Sequence, residues 1–277
     1  MVPVPDMLPE SIPALIAAFT QADVKTIDVI GGEPTLHPDI IGFIREAVLA
    51  GLSVNVSSNG SDLETLDKIM AIGKGVTVGI SINDRGTLKL THEFIRTHRP
   101  VVKTVFTAGL EADMVQTILS LKPKKFYLIY RDATEFKELM RTVPFHRFLQ
   151  MVQDDYDPGE VGTVYCSGFL PDTKSHPELA LSRCPAGTTK LGMMPDGTVY
   201  PCNLFFGIKE FLLGNILSDP FESIWSHRAL AFFRSAQKNT CEHPSCRLQT
   251  QCHGGCPAQS LLLRGDLKAS DPRCAFR

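Results

Sequence analysis

Five short apolar runs mark the first half of the chain. TIDVI ends at Ile30, LSVNV at Val56, VTVGI at Ile80, VVKTVF at Phe106 and FYLIY at Tyr130, and each stops at a polar or glycine-containing turn. The runs are rich in β-branched and aromatic residues and too short for buried helices, so they read as strands. Between several of them the apolar positions switch to helical spacing. In DIIGFIREAVLAG, Ile40, Ile41, Ile44, Ala47 and Val48 share one face, and Gly51 is placed to end the helix. In SDLETLDKIMAIG, Ser61 or Asp62 is placed to cap the start. A further helix, in PESIPALIAAFTQAD, precedes the first strand with the stripe Ile12, Leu15, Ile16 and Phe19.

Strands alternating with helices predict an α/β fold with parallel pairing through right-handed crossovers. The nearly even spacing of the strands favours a barrel or barrel segment over an irregular open sheet. In such barrels the chemistry sits at the C-terminal strand ends. Here those ends read Gly31-Gly32-Glu33-Pro34, Ser57-Ser58-Asn59-Gly60, Ser81-Ile82-Asn83-Asp84, Thr107-Ala108-Gly109 and Arg131-Asp132. Ordinary turn-making and helix capping explain any one of these turns. Together they predict one polar rim.

The first rim turn is the most informative. Two glycines remove two Cβ atoms, so a ligand can lie directly against the backbone. Main-chain carbonyls at a strand end, with the Glu33 carboxylate beside them, attract a cation such as an ammonium group. Pro34 fixes the chain before the next helix, and His37 is expected to pack or cap near that helix start. Neither a GxGxxG nor a Walker phosphate-binding pattern is present.

Composition adds one strong asymmetry. Residues 1–165 contain no cysteine, whereas Cys166, Cys184, Cys202, Cys241, Cys246, Cys252, Cys256 and Cys274 all lie beyond them. The shift predicts two domains, 1–160 and 161–277, divided at the polar DDYDPGE stretch. A net charge of -2 without a basic stripe gives no sign of a nucleic-acid partner. No apolar run reaches membrane-spanning length, and the N-terminus has no basic region of the secretory kind, so no membrane partner and a cytoplasmic location are expected. In a reducing compartment, clustered thiols argue for metal rather than disulfides. Eight thiolates make two four-thiolate sites with none left over, suited to iron–sulfur clusters or to zinc.

VIGGEPTLHPD resembles the second-strand motif of radical S-adenosylmethionine (SAM) enzymes. The resemblance covers residues 8–132 in the order of repeats and is sharp at GGEP. It implies that the backbone of Gly31, Gly32, Glu33 and Pro34 holds the methionyl amino group of SAM. It also implies that the later turns, through Ser58, Asn59, Ser81 and Asn83, touch its carboxylate and ribose. The cysteine-rich part, from 166 to 277, resembles the SPASM domain found at the C-terminus of many radical SAM maturases. Cys184-x12-Gly197-x4-Cys202, the Cys241–Cys256 group, the final Cys274 and the segment LGNILSDPFESIW carry that likeness. Four residues rather than two separate Cys241 from Cys246, so the local loop departs from the family pattern. By order along the chain, the family implies one auxiliary [4Fe–4S] cluster on Cys166, Cys184, Cys202 and Cys256. The other falls to Cys241, Cys246, Cys252 and Cys274.

The resemblance implies a partial (β/α)6 TIM-like barrel missing its first strand, followed by a SPASM iron–sulfur domain. The family's CxxxCxxC loop, which binds the SAM-chelating [4Fe–4S] cluster, is not in this sequence, and the expectation is that Met1 is an internal methionine of a longer protein. With that loop, the implied reaction is reductive cleavage of SAM to a 5′-deoxyadenosyl radical. The radical takes a hydrogen from a peptide or protein, and a low-potential donor of flavodoxin or ferredoxin type supplies electrons. In sulfatase-maturing relatives an Asp acts as base where this chain has Asn203, so formylglycine formation is not expected. Two alternatives stay open. One is a catalytically inactive two-cluster binding or electron-transfer protein, and the other a zinc-stabilised interaction module.

Overall fold

The structure, a computed structural model, describes residues 5–235, 241 and 245–274. Helix α1 (Ile12–Gln21) forms on the predicted stripe and buries Ile12, Leu15 and Ile16, while Phe19 is only partly covered. Strand β1 (Thr26–Val29) follows, then α2 (Ile40–Leu49), β2 (Ser53–Ser58), α3 (Leu63–Met70) and β3 (Val76–Ser81). Helix α4 (Arg85–His98), β4 (Val101–Val105), α5 (Ala112–Ser120) and β5 (Lys125–Ile129) continue the alternation. The short α6 (Phe136–Leu139), α7 (Phe145–Asp155) and β6 (Val161–Val164) complete it. All pairings are parallel and the strand order is β1-β2-β3-β4-β5-β6.

The pattern in the sequence predicts five strands, and the structure has a sixth. VGTV is short, carries a glycine and buries only Val161, so it lacks the apolar density that marks the others. It is held by register, Phe126↔Val161 through Ile129↔Val164. Gly162 is needed there because the ring of Tyr127 lies across it, 2.6 Å from where a Cβ would sit. Strand limits also move. β1 stops at Val29 rather than Ile30, and Ser57, Ser58 and Ser81 are strand residues rather than turn residues. Ladder pairing carries β2 onward through Ser57↔Gly79 and Ser58↔Ile80.

Helix ends follow local chemistry. Asp62 caps α3 by accepting the Thr65 N–H at 3.0 Å. At the end of α2, Gly51 adopts φ +89, Leu52 N–H reaches Ala47 O and Gly51 N–H reaches Val48 O, both at 3.0 Å. This is the Schellman arrangement that satisfies the last carbonyls. The core lies on the helix side of the sheet, where Val54, Val56, Val78, Ile80, Val102, Phe126 and Leu128 are buried together with Ile44, Leu66, Ile69 and Ile95.

The chain divides into two compact units. One comprises Leu8–Arg131 and Phe148–Val164, the parallel α/β unit. The other comprises Met1–Met7, Asp132–Arg147 and Tyr165–Arg277 and contains every cysteine. Its regular structure is sparse. A three-stranded antiparallel sheet joins β7 (Gly192–Met193), β8 (Thr198–Tyr200) and β9 (Gly214–Asn215). Two helices, α8 (Phe221–Trp225) and α9 (Pro257–Arg264), accompany it. Aromatic packing replaces layered elements here: Phe145 stacks on Phe169 with centroids 3.8 Å apart, and Phe205 packs against Phe211 and Phe233.

Candidate functional site

The first rim turn leaves β1 at Val29. Gly31 has φ +147, and a Cβ added at Gly31 or Gly32 would meet nothing within 4 Å. The two glycines therefore form an exposed backbone shelf. Glu33 does not project freely from it. One carboxylate oxygen accepts the Thr35 N–H at 3.1 Å and the Thr35 hydroxyl at 2.7 Å, and the other accepts the Asn59 N–H at 2.6 Å. Glu33 thus ties the GGEP turn to the turn after β2. Pro34 opens a short 3-10 turn, Pro34–Leu36, and the His37 ring accepts the Asp39 N–H at 3.2 Å just ahead of α2.

The other predicted rim residues have local duties as well. Ser58 is buried and its hydroxyl accepts the Gly60 N–H at 2.9 Å, while Asn59 Oδ1 accepts the Ser61 N–H at 2.8 Å. Asn83 Oδ1 accepts the Val105 N–H at 2.9 Å, fixing the turn after β3 to β4. Ser81 sits beside Lys103 in the β3–β4 register. The structure so brings Gly31, Gly32, Glu33, Pro34, Ser58 and Asn59 to one linked pair of turns, with Ser81 and Asn83 at the end of the next strand.

The cysteines gather into two sets. In the first, Cys256 and Cys166 share a hydrogen bond, Cys184 feels the charges of Cys166 and Cys202, and Cys202 feels that of Cys166. In the second, Cys241, Cys246, Cys252 and Cys274 line one pocket with Phe145, His146, Leu248 and Gln249. Among the described residues, no three His, Cys, Asp or Glu side chains converge tightly enough to hold a single metal ion.

A repeated backbone detail unites the two sets. The N–H two residues beyond the cysteine points at its sulfur at Cys166 (Gly168), Cys184 (Ala186), Cys202 (Leu204), Cys246 (Leu248, 3.4 Å) and Cys252 (Gly254, 3.2 Å). Such donors favour a thiolate over a thiol and orient it, as in metal–sulfur sites.

Comparison with known proteins matches two family models. The Radical SAM superfamily model covers residues 2–115, and the iron-sulfur cluster-binding SPASM domain covers 184–253. The chain belongs to the radical SAM/SPASM family. It is 24% identical to the AdoMet-dependent heme synthase of Methanosarcina barkeri over 89% of this chain and 81% of that one. It is 25% identical to the PqqA peptide cyclase of Ruegeria pomeroyi over 93% of this chain and 77% of that one. Among solved structures, Streptococcus suis SuiB bound to S-adenosylmethionine superposes with a TM-score of 0.72 at 19% identity. That match spans 97% of this chain and 71% of SuiB, and it shows the shared fold. Six parallel strands with a cysteine-rich C-terminal unit are the family's architecture in this chain.

The SPASM thiols lie in an environment that resists ionisation when no cation is near. Burial pushes Cys184 and Cys274 far up and Cys202 up to about 11, and raises Cys252 as well. Cys166 goes the other way, down to about 7, because Cys256 donates a hydrogen bond to its sulfur, with help from the Gly168 N–H and the Arg273 charge. That donation in turn holds Cys256 far up. Thiols raised by burial lose their protons beside a compensating metal, the situation of a cluster ligand. The donor set, the aimed N–H groups and the buried surroundings fit iron–sulfur clusters.

Several residues around these thiols escape sequence reasoning. The Arg273 side chain is fully buried and pairs with Asp271 at 2.8 Å and Asp132 at 2.9 Å, with its guanidinium 5.2 Å from the centre of the Phe169 ring. Asp271 also accepts the Cys256 N–H at 2.8 Å. Arg183, likewise buried, donates to Gly255 O at 2.7 Å. Gly168 zips two cysteine loops together: its carbonyl accepts the His253 and Gly255 N–H groups at 3.0 and 2.9 Å. The only hint in the sequence is an arginine directly before Cys274. Its burial depends on carboxylates that are remote in the chain or flank it in a turn.

No helix among the described residues is long and apolar enough to cross a membrane.

Proposed function

We propose that the chain is the SAM- and cluster-binding part of a radical SAM/SPASM enzyme that modifies a peptide or protein. Gly31, Gly32, Glu33, Pro34, Ser58, Asn59, Ser81 and Asn83 hold SAM. Cys166, Cys184, Cys202 and Cys256 hold one auxiliary [4Fe–4S] cluster, and Cys241, Cys246, Cys252 and Cys274 hold the second. One observation carries this reading. Eight thiols gather four and four, with main-chain N–H groups already aimed at five of the sulfurs.

When bound with its own reduced cluster, SAM supplies a 5′-deoxyadenosyl radical that abstracts hydrogen from the substrate. The protein's part is to bind and orient. The Gly31–Gly32 shelf admits a ligand against the main chain, and Glu33 keeps two neighbouring turns at fixed separation. The interlock at Gly168 and the Arg273 ion pairs keep water and uncompensated charge away from the first set of thiols. SAM cleavage needs a CxxxCxxC loop, which these 277 residues do not contain. A low-potential donor of flavodoxin or ferredoxin type feeds the reaction. A peptide substrate is supported by the likeness to the PqqA peptide cyclase and to SuiB, which has also been solved bound to the precursor peptide SuiA. The heme synthase relative is a reminder that fold and family do not fix a substrate.

The test has two stages. After anaerobic reconstitution the chain is expected to carry about eight iron and eight sulfide; stoichiometric zinc and no sulfide would instead favour the zinc-stabilised module. SAM cleavage is then measured with and without an N-terminal segment bearing CxxxCxxC. Cleavage only with the segment supports the enzyme. Full iron with no cleavage in either form favours a two-cluster electron-transfer protein.

A further inference from the structure

The Gln259 side chain is fully buried and only half used. Its Oε1 accepts the Ala133 N–H at 3.1 Å. That bond fixes the orientation of the amide, because a main-chain N–H must meet the oxygen end. Nε2, the other end, is buried and has no hydrogen-bond partner. Leaving a buried donor unpaired is costly, so a folded protein keeps one where something answers it. A bridging water needs about two to four polar partners, and the adjacent groups do not supply them. Pro257 and Ala258 have no polar side chain. The Ser260 hydroxyl donates to Cys256 O at 3.2 Å, and the Cys256 N–H goes to Asp271 Oδ2 at 2.8 Å.

The position of this donor connects it to the first thiol set. Cys256 caps α9, and Gln259 is the third residue of that helix. Side chains at these two positions are neighbours, the geometry a capping box exploits. The usual exchange is not made here, since the Cys256 sulfur accepts no helix N–H and its own N–H is taken by Asp271. Helix α9 also packs against the turn Asn203–Phe205, which directly follows Cys202. Ala133, the anchor of Oε1, follows Asp132, which pairs with Arg273 and whose charge is felt at Cys202. Cys166, Cys184 and Cys202 each have a main-chain N–H aimed at sulfur from two residues beyond. Cys256 differs: Pro257 follows it, and among the described residues no main-chain N–H points at its sulfur. The first set therefore has one sulfur without a main-chain donor and, one helical turn along, one donor without an acceptor.

We propose that Gln259 Nε2 donates a hydrogen bond to the auxiliary cluster of the first thiol set, on its Cys256 side, and so sets that cluster's potential. The inference rests on the two-cluster reading given above. Gln259 favours the reduced form, whose sulfurs carry more negative charge and accept more strongly. Its loss should therefore lower the midpoint potential. A neutral bond turned charge-assisted corresponds to about ten-fold in the reduction equilibrium, or about 59 mV for one electron. The test uses the full chain made with glutamine labelled by nitrogen-15 at the side-chain amide only, reconstituted anaerobically and reduced. Pulsed EPR is expected to show a nitrogen-15 coupling that disappears in Gln259→Leu and persists in Gln249→Leu and Gln251→Leu. If leucine prevents loading, Gln259→Glu makes the same assignment while keeping an oxygen for Ala133. In an EPR-monitored redox titration of Gln259→Leu, one midpoint should fall by that amount and the other stay. Absence of any glutamine coupling in the wild type overturns the proposal without a variant. A coupling that survives replacement of Gln259 overturns it, and so do two unchanged midpoints in a fully loaded Gln259→Leu. A wild-type chain that takes up no iron and sulfide overturns the cluster reading and this proposal together, whereas two loaded clusters with no Gln259 signal overturn the proposal alone.

Discussion

Replacing Gly168 by alanine isolates the contact that zips the Cys166 loop to the loop bearing Cys252 and Cys256. The φ of Gly168 lies outside the left-handed region, so alanine meets no backbone strain there. It does meet the opposing chain: the new Cβ would fall 2.1 Å from the Gly255 carbonyl oxygen and 2.9 Å from its carbon. Ordinary contact requires about 3.5 Å, so the strands must part by more than 1 Å, roughly. The two hydrogen bonds into Gly168 O, at 3.0 and 2.9 Å, do not survive that separation. Two lost bonds at about 1 kcal/mol each, with overpacking on top, give a cost of about 2–4 kcal/mol. The same movement draws the Gly168 N–H from Cys166 and Cys166 from Cys256, and it also shifts Cys252 of the second set, whose sulfur lies 3.8 Å from Gly168 O. After anaerobic reconstitution Gly168→Ala is expected to retain about half the iron and sulfide of wild type or less. Its urea midpoint should fall accordingly. Wild-type iron content together with an unchanged midpoint would refute the interlock.

Two further outcomes follow from the same region. In the metal-free, reduced chain Cys166 should ionise near pH 7, seen as ultraviolet thiolate absorbance that Cys166→Ser removes. Its folded pKa lies below the ordinary thiol value of about 8.5, so this contribution to stability is complete above that value and is lost as pH falls through about 7. A titration unchanged in Cys166→Ser contradicts the assignment. Arg273→Met leaves Asp271 buried without its partner and should cost about 3–5 kcal/mol in chemical unfolding. Adding Asp271→Asn should recover part of that loss, and a cost of under about 1 kcal/mol would mean that the ion pairs do not hold this core.

Much of the α/β unit is legible because strands and helices each leave a period. The stripes of α1 and α2, the Asp62 cap and the Gly51 stop all depend on neighbours close in sequence. β6 is illegible for the opposite reason. VGTV has little apolar content of its own and becomes a strand through pairing with β5 and a glycine that accommodates Tyr127. The cysteine spacing points to metal chemistry without help from the sparse secondary structure around it. What it does not announce is the scaffold behind the thiols. Arg273, Arg183 and Asp271 look like surface residues in the sequence, and only their partners in the folded chain explain their burial. Glu33, expected beside a ligand, has a second duty the sequence does not announce, tying two turns together.

That span has a chemical consequence. With three of its roughly four lone-pair sites taken by Thr35 and Asn59, Glu33 has little acceptor capacity to offer a guest at the first turn, and most of the lone pairs there are those of main-chain oxygens. Main-chain oxygens sort visitors by how many hydrogens they can donate and in which directions, and only weakly by total charge. A primary amine and its trimethylated counterpart carry the same formal charge, yet only the first has protons to give, so full methylation should deny a guest entry that simple cationic character would have granted.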